Sequence, residues 1–295
     1  MLADNHQRLL LIQIARISTF FIFIGRAYQH IFRDAPYRAL LWSEDLLSGI
    51  VENLFHITWE EYVTDLTIAD NIYLGIKVVG VFYLFCAIFT IFANISYKIL
   101  GRLFLLGGAF GLTILALLYS KEKFFHVGQF FEYAIQILSP VILYLLLFTE
   151  VEIKRIRLLA LIAIALTFSC HGLYAIGYYP RPGTFITMTM NILPLSEPSA
   201  HTLLKIAGIM DFVIAIGIFI PKTSFISLIY AFIWGLLTAL ARVVGHFYID
   251  FLWDTIHQWL WEMIIRLPHG LIPLFVIVLD RKLIFKKRKI LLLND

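Results

Sequence analysis

Apolar residues gather in eight blocks, each at or near the ~20 residues that a helix needs to cross a bilayer core of roughly 30 Å. The blocks are Leu9–Phe32, Ile72–Phe92, Leu100–Tyr119, Phe130–Phe148, Ile156–Tyr178, Thr202–Ile220, Phe225–Val244 and Trp259–Leu279. Pro140, Gly208, Gly235 and Pro273 fall inside them. In a membrane such residues are tolerated, because neighbouring helices re-satisfy the freed backbone groups. The last block is the least regular, with Glu262, Arg266, Pro268 and His269 crowding its first half. The pattern therefore predicts an all-α polytopic membrane protein with eight transmembrane helices. The longest connection, residues 33–71, sets Leu40, Leu47, Ile50, Leu54 and Phe55 at helix-like spacing beside Trp42 and Trp59. It reads as one or two short amphipathic helices on the membrane surface, either a lid over a site beneath or simple interfacial packing. Within it, Thr58 followed by Glu61 three residues later fits a capping box.

Composition agrees with lipid as much of the solvent. Only 15 % of the 295 residues are charged, against roughly 25 % in soluble domains. Met1–Arg8 is short and polar, and the apolar run after it is too long for a cleaved signal, so the first helix reads as a retained anchor. Cys86 and Cys170 lie far apart in apolar segments. A disulfide framework or structural zinc site is not expected from them.

Charge gives the bundle a direction. Arg8, Lys98, Arg102, Lys154, Arg155, Arg157, Lys222 and the tail Arg281, Lys282 and Lys286–Lys289 fall on one side. The other side has few cations and carries acids such as Asp34, Glu44, Asp45, Glu52 and Asp254. Positive charge marks the cytoplasmic side, so both termini are expected there, in an inner or plasma membrane. The basic tail fits a solvated or lipid-headgroup stop better than a nucleic-acid contact.

The halves can be laid over one another, as units 1–150 and 151–295. Tyr28 and Pro36 match Tyr174 and Pro182, Lys77 to Gly80 matches Lys205 to Gly208, Gly111-Leu112 matches Gly235-Leu236, and Phe131-Glu132 matches Trp261-Glu262. With four spans per unit, these would be parallel four-helix-bundle repeats about an axis along the membrane normal.

Ionisable residues inside spans are expensive, and each invites a paired or functional role. Arg26, His30, Lys77 and Glu132 occupy the extracytoplasmic half of the first unit. His171, Lys205, Asp211, Arg242, His246, Glu262, Arg266 and His269 do so in the second. The cytoplasmic half is nearly all apolar, with Arg16 able to snorkel. Glu262, Arg266 and His269 share a helical face at i, i+4 and i+7. Asp211 lies about 14 Å below the outer end of its helix, so it should be protonated or paired, with Arg242 the first candidate. Two readings stand together. These residues are structural ion pairs, or they line an outward polar cavity in each unit that takes a polar or anionic head with an apolar tail. A quinone or lipid would suit the cavity. A metal centre from His171, His246 and His269 has no supporting ligand spacing, and no nucleotide-binding loop is legible.

The chain resembles the DoxX-like superfamily of small four-helix membrane proteins, whose first helix bears an Arg and ends in a Gly- and His-containing segment. The matching residues are Arg16, Gly25 and His30 in the first unit and His171-Gly172-Leu173-Tyr174 in the second, which lacks a counterpart to Arg16. The resemblance implies a quinone- or lipid-associated accessory protein in a membrane redox assembly, with membrane-protein partners. The transmembrane part of vitamin-K-type carboxylases is a more distant likeness. A binding or transport protein for a lipid-like or small anionic solute is the alternative. An enzyme with Glu132 or Glu262 as acid/base beside Lys77 or Lys205 is a third reading.

Overall fold

The computed structural model describes the backbone of residues 5–94 and 98–291 and the side chains of residues 6–94 and 98–280. The side chains of Arg281, Lys282 and Lys286–Lys289, counted above for orientation, lie outside the described residues. Among the described residues every regular element is a helix, and eight are long and apolar enough to cross a membrane. The first three crossings are α1 (Asn5–Phe32), α5 (Leu66–Phe92) and α6 (Lys98–Glu122). Between α1 and α5 lie the short α2 (Arg38–Leu41), α3 (Glu44–Ile50), a π-turn (Val51–Phe55) and α4 (Trp59–Thr64). The fourth crossing is split into α7 (Val127–Phe131) and α8 (Ala134–Phe148). The second half follows with α9 (Ile153–Ile176), the short α10 (Gly183–Ile192), α11 (Glu197–Gly217) and α12 (Ser224–Val244). Its last crossing is split into α13 (Leu252–Ile264) and α14 (Pro268–Leu291).

The last crossing breaks for a covalent reason. Proline lacks the N–H that would bond the carbonyl four residues back, and its ring crowds that carbonyl. α14 opens on Pro268, four residues after α13 ends at Ile264, and carries Pro273 inside; Pro140 lies within the unbroken α8, away from the α7–α8 break. At the first break Thr167 of α9 substitutes for the lost ladder. Its Oγ1 accepts from the Ile135 amide at 3.2 Å and donates to the Glu132 carbonyl at 3.3 Å. The continuous face expected for Glu262, Arg266 and His269 is interrupted in the same way, by the turn between α13 and α14.

The packing partners form a regular set: α1 against α5 and α9 against α11, then α6 against α8 and α12 against α14. The first and last crossings of the two halves meet at the centre, α1 on α14 and α8 on α9. In lipid, helices associate through close dispersion contact rather than the hydrophobic effect. At the α9–α11 crossing a Cβ on Gly172 would lie 2.9 Å from the Gly208 carbonyl oxygen, and a Cβ on Gly208 2.9 Å from that of Gly172. Only glycine permits that backbone approach. On the side where the chain begins, arginines cap helix ends: Arg16 donates to the Ala93 carbonyl at 2.7 Å and Arg102 to that of Phe148 at 3.1 Å. Arg16 is thus a cap.

On the opposite side the 33–71 connection folds onto α5, in more pieces than the one or two helices expected. Arg38 is held by Asp34 and lies over the rings of Trp42 and Tyr73. The capping box forms as read: Glu61 accepts from the Thr58 amide at 2.8 Å and Thr58 Oγ1 from the Glu61 amide at 3.2 Å. Asp65 caps α5, accepting from the amides of Thr67 at 2.6 Å and Ile68 at 3.2 Å. This cap explains why α5 begins at Leu66 rather than Ile72. Hydrogen bonds to Thr58 hold the Glu61 carboxyl below its usual range, and those to Ile68 and Thr67 do the same for Asp65. A carboxylate depressed by folding contributes stability at neutral pH, and that contribution is lost as pH falls through the folded value. Residues 58–68 are therefore expected to lose hydrogen-exchange protection, corrected for intrinsic rates, as pH drops below about 4. Protection unchanged at about pH 2 would contradict the capping account.

Candidate functional site

The sequence places a layer of ionisable side chains on the loop-bearing side, and the structure sorts it into two packed clusters and several outward-facing residues. In the first half, Arg26 is 1 % exposed and among the described residues has no carboxylate partner. Its Nε and Nη2 fork onto Gln136 Oε1 at 3.2 and 2.6 Å, and Nη1 donates to Gln29 Oε1 at 2.6 Å. Its carbon lies 4.9 Å from the Tyr133 ring centre and 5.9 Å from that of Tyr119. Amide oxygens and aromatic faces thus replace the hydration of a buried cation. Gln29 turns its own amide to the Tyr119 hydroxyl at 2.6 Å. His30 Nδ1 lies 2.7 Å from the Arg26 carbonyl oxygen, which can only accept, so this nitrogen carries the proton. Nε2 of the neutral ring then accepts from the Tyr37 hydroxyl at 3.2 Å.

Tyr37 opens onto a cavity of about 540 Å³ between the surface helices and α5. Leu41, Phe55, Ile57, Ile68, Ile72, Gly75, Ile76 and Val79 give it apolar walls, with Tyr37, Tyr62 and Asn71 as its polar residues. Ile72 and Ile76 share one packed cluster with Tyr133 and Tyr119, whose rings flank Arg26. The cavity wall and the buried cation are therefore two faces of one aromatic layer. Where a polar cavity is expected in this unit, the cavity found is apolar and lies beside the buried Arg26 network.

The second cluster crosses between the halves. Glu132, at the α7–α8 break, reaches His171 of α9, with Oε1 to Nε2 at 3.1 Å, while its Oε2 accepts from Gln129 at 3.1 Å. Tyr174 donates to Gln129 at 3.3 Å. The His269 ring stands edge-on to His171 at 5.2 Å. Glu262 Oε2 lies 3.3 Å from Arg266 Nη1 and 3.6 Å from Arg242 Nη1. His246 stacks on Trp259 at 3.6 Å. One expected partnership is corrected. Arg242 pairs with Glu262, not with Asp211, because it lies at the end of α12 that faces α13. Asp211, 4 % exposed, instead has the Trp234 indole within reach and leaves one carboxylate oxygen without a partner.

Lys77 and Lys205 stand outside both clusters, exposed on the outer faces of α5 and α11. Lys77 lies over the Tyr73 ring at 5.4 Å. A Lys–Glu acid/base pairing is consequently not assembled in either half. Among the described residues no three His, Cys, Asp or Glu side chains converge as a metal-binding set. Sequence reasoning missed Gln29, Gln136 and Tyr37, the neutral groups that surround Arg26 and His30. Their signal was the recurrence of amides at the depth of a buried arginine.

The Glu132–His171 contact ties the halves together. Glu132→Gln keeps its shape and removes its charge, and is expected to lower stability to reversible unfolding in micelles by about 1–2 kcal/mol. Lys77→Gln, on an exposed face, should change it by less than about 0.5 kcal/mol. The reverse order would contradict the assignment. No family model matches the chain, and no curated protein or solved structure matches it either.

Proposed function

We propose that this integral membrane protein binds a lipid-like or quinone-like amphiphile in the cavity beneath its surface helices, and acts as an accessory component of a membrane assembly. The observation that carries the reading is the apolar cavity of about 540 Å³ with the Tyr37 phenol in its wall, bonded through His30 to the buried Arg26 network. Such pockets hold an apolar body while a few placed polar groups orient its head. A ring or acyl chain fits the Ile72–Ile76 side, and a hydroxyl at its polar end can donate to the Tyr37 oxygen, whose own proton is engaged by His30.

The same reading makes the chain two DoxX-like units with both ends in the cytoplasm. Corresponding helices support the duplication: Tyr28 of α1 donates to the backbone carbonyl of His257 in α13, and Tyr174 of α9 to the side chain of Gln129 in α7. The first helix of each half thus meets the short segment of the other half's fourth crossing. The distribution of basic residues supports the orientation.

Gly75 lines the cavity, and a Cβ there meets nothing within 4 Å, so a larger side chain fills the space without a clash at its base. Gently purified protein is expected to retain a defined quinone or lipid by mass spectrometry, and Gly75→Phe to lose it while keeping its melting midpoint. Equal retention by both proteins, or only the bulk lipid mixture in each, would overturn the proposal.

A further inference from the structure

Arg242 and Arg266 of the second half are not satisfied as Arg26 is in the first. Arg26 spends its donors on two glutamine oxygens and leaves none of its nitrogens buried without a partner. Arg242 is 8 % exposed, yet among the described residues its guanidinium makes no hydrogen bond. Its nearest carboxylate oxygen, on Glu262, stands 3.6 Å away, and its plane faces the Phe185 ring at 5.4 Å. The buried Nε of Arg242, Nε of Arg266 and Nε2 of His269 are all without partners.

Donors outnumber acceptors in this cluster. Each guanidinium presents about five N–H groups. Against them stand one oxygen of Glu262, shared by both arginines, and the Glu262 carbonyl, which takes Arg266 Nη1 at 3.0 Å. Glu132 is turned to His171 and Gln129, and among the described residues it makes no hydrogen bond to either guanidinium. An empty donor at this depth is costly, and the missing partner is an oxygen acceptor. The planar fork of arginine fits two oxygens of one carboxylate or phosphate. The cluster is also enclosed. α10 lies over it, with Phe185 on the guanidinium and Asn191 donating to the Gly245 carbonyl at 2.8 Å, while the His246–Trp259 stack closes one flank.

We propose that Arg242, Arg266 and His269 form an oxyanion site beneath α10, which takes a carboxylate or phosphate group. Glu262 keeps the two guanidiniums together when the site is empty. The site shares no residue with the apolar cavity and stands or falls separately from it. The oxyanion is the headgroup of an acidic lipid or a free solute, the same chemistry from two sources.

The full-length protein in nanodiscs of zwitterionic lipid tests this. Inorganic phosphate is titrated in one series and phosphatidic acid is incorporated stepwise in another, followed by tryptophan fluorescence and melting midpoint. A saturable response to phosphate identifies a free solute, and a response to phosphatidic acid alone identifies a headgroup. Either should weaken at least about tenfold in Arg242→Gln. Arg242→Lys keeps the charge but not the fork, so it should fold and also bind more weakly, which secures the comparison if Arg242→Gln does not fold. No saturable response to either probe, as when water alone fills the site, would overturn the proposal. So would unchanged affinity in the folded variants.

Discussion

Every polar group at membrane depth must find its partner inside the protein, because hydrocarbon offers none. The loop-bearing half of this bundle is organised by that demand. Arg26 is the clearest case: a buried cation without a carboxylate, held by Gln29 on its own helix and Gln136 on α8, between the rings of Tyr119 and Tyr133. Satisfying it fixes α8 against α1 and places Tyr119 of α6 over the same site. The aromatic layer so built becomes the wall on which Ile72 and Ile76 pack and beside which the apolar cavity lies.

The same demand explains the break in the fourth crossing. Glu132 lies at that break, where Thr167 takes up the freed amide and carbonyl, and its carboxylate turns to His171 in the other half. A straight helix was the simpler expectation for this segment. The broken one couples the halves through a polar contact where dispersion alone would leave their relative setting less specific. Glycine acts in the opposite sense at Gly172 and Gly208, bringing backbones together where no polar group intervenes.

The sequence was informative where one element decides the outcome by itself. Eight apolar blocks became eight crossing helices, and Thr58 with Glu61 formed its capping box, since both depend on neighbouring residues only. Partnerships were less legible, because they depend on helix rotation and on breaks that hydropathy does not register. Depth puts Lys77 and Lys205 among the candidates for lining a polar cavity, yet both are exposed on outer helix faces. Asp211 was matched with Arg242 and lies by Trp234 instead. α10 went unread, although Pro182 precedes it and Phe185, Met188 and Ile192 recur along it at helical spacing. Within a connection of ordinary polarity that signal is short. The groups that complete the Arg26 network are neutral, and a search for charge passes over them.

On the function proposed, the aromatic layer over Arg26 serves a bound amphiphile in the adjoining cavity. A photo-crosslinking amino acid placed at Ile68, in the cavity wall, and at Leu103, exposed on α6, tests it most directly in native membranes. The Ile68 probe is expected to capture one defined lipid or quinone species, while the Leu103 probe captures the bulk phospholipid mixture. The same mixture captured at both positions would contradict it.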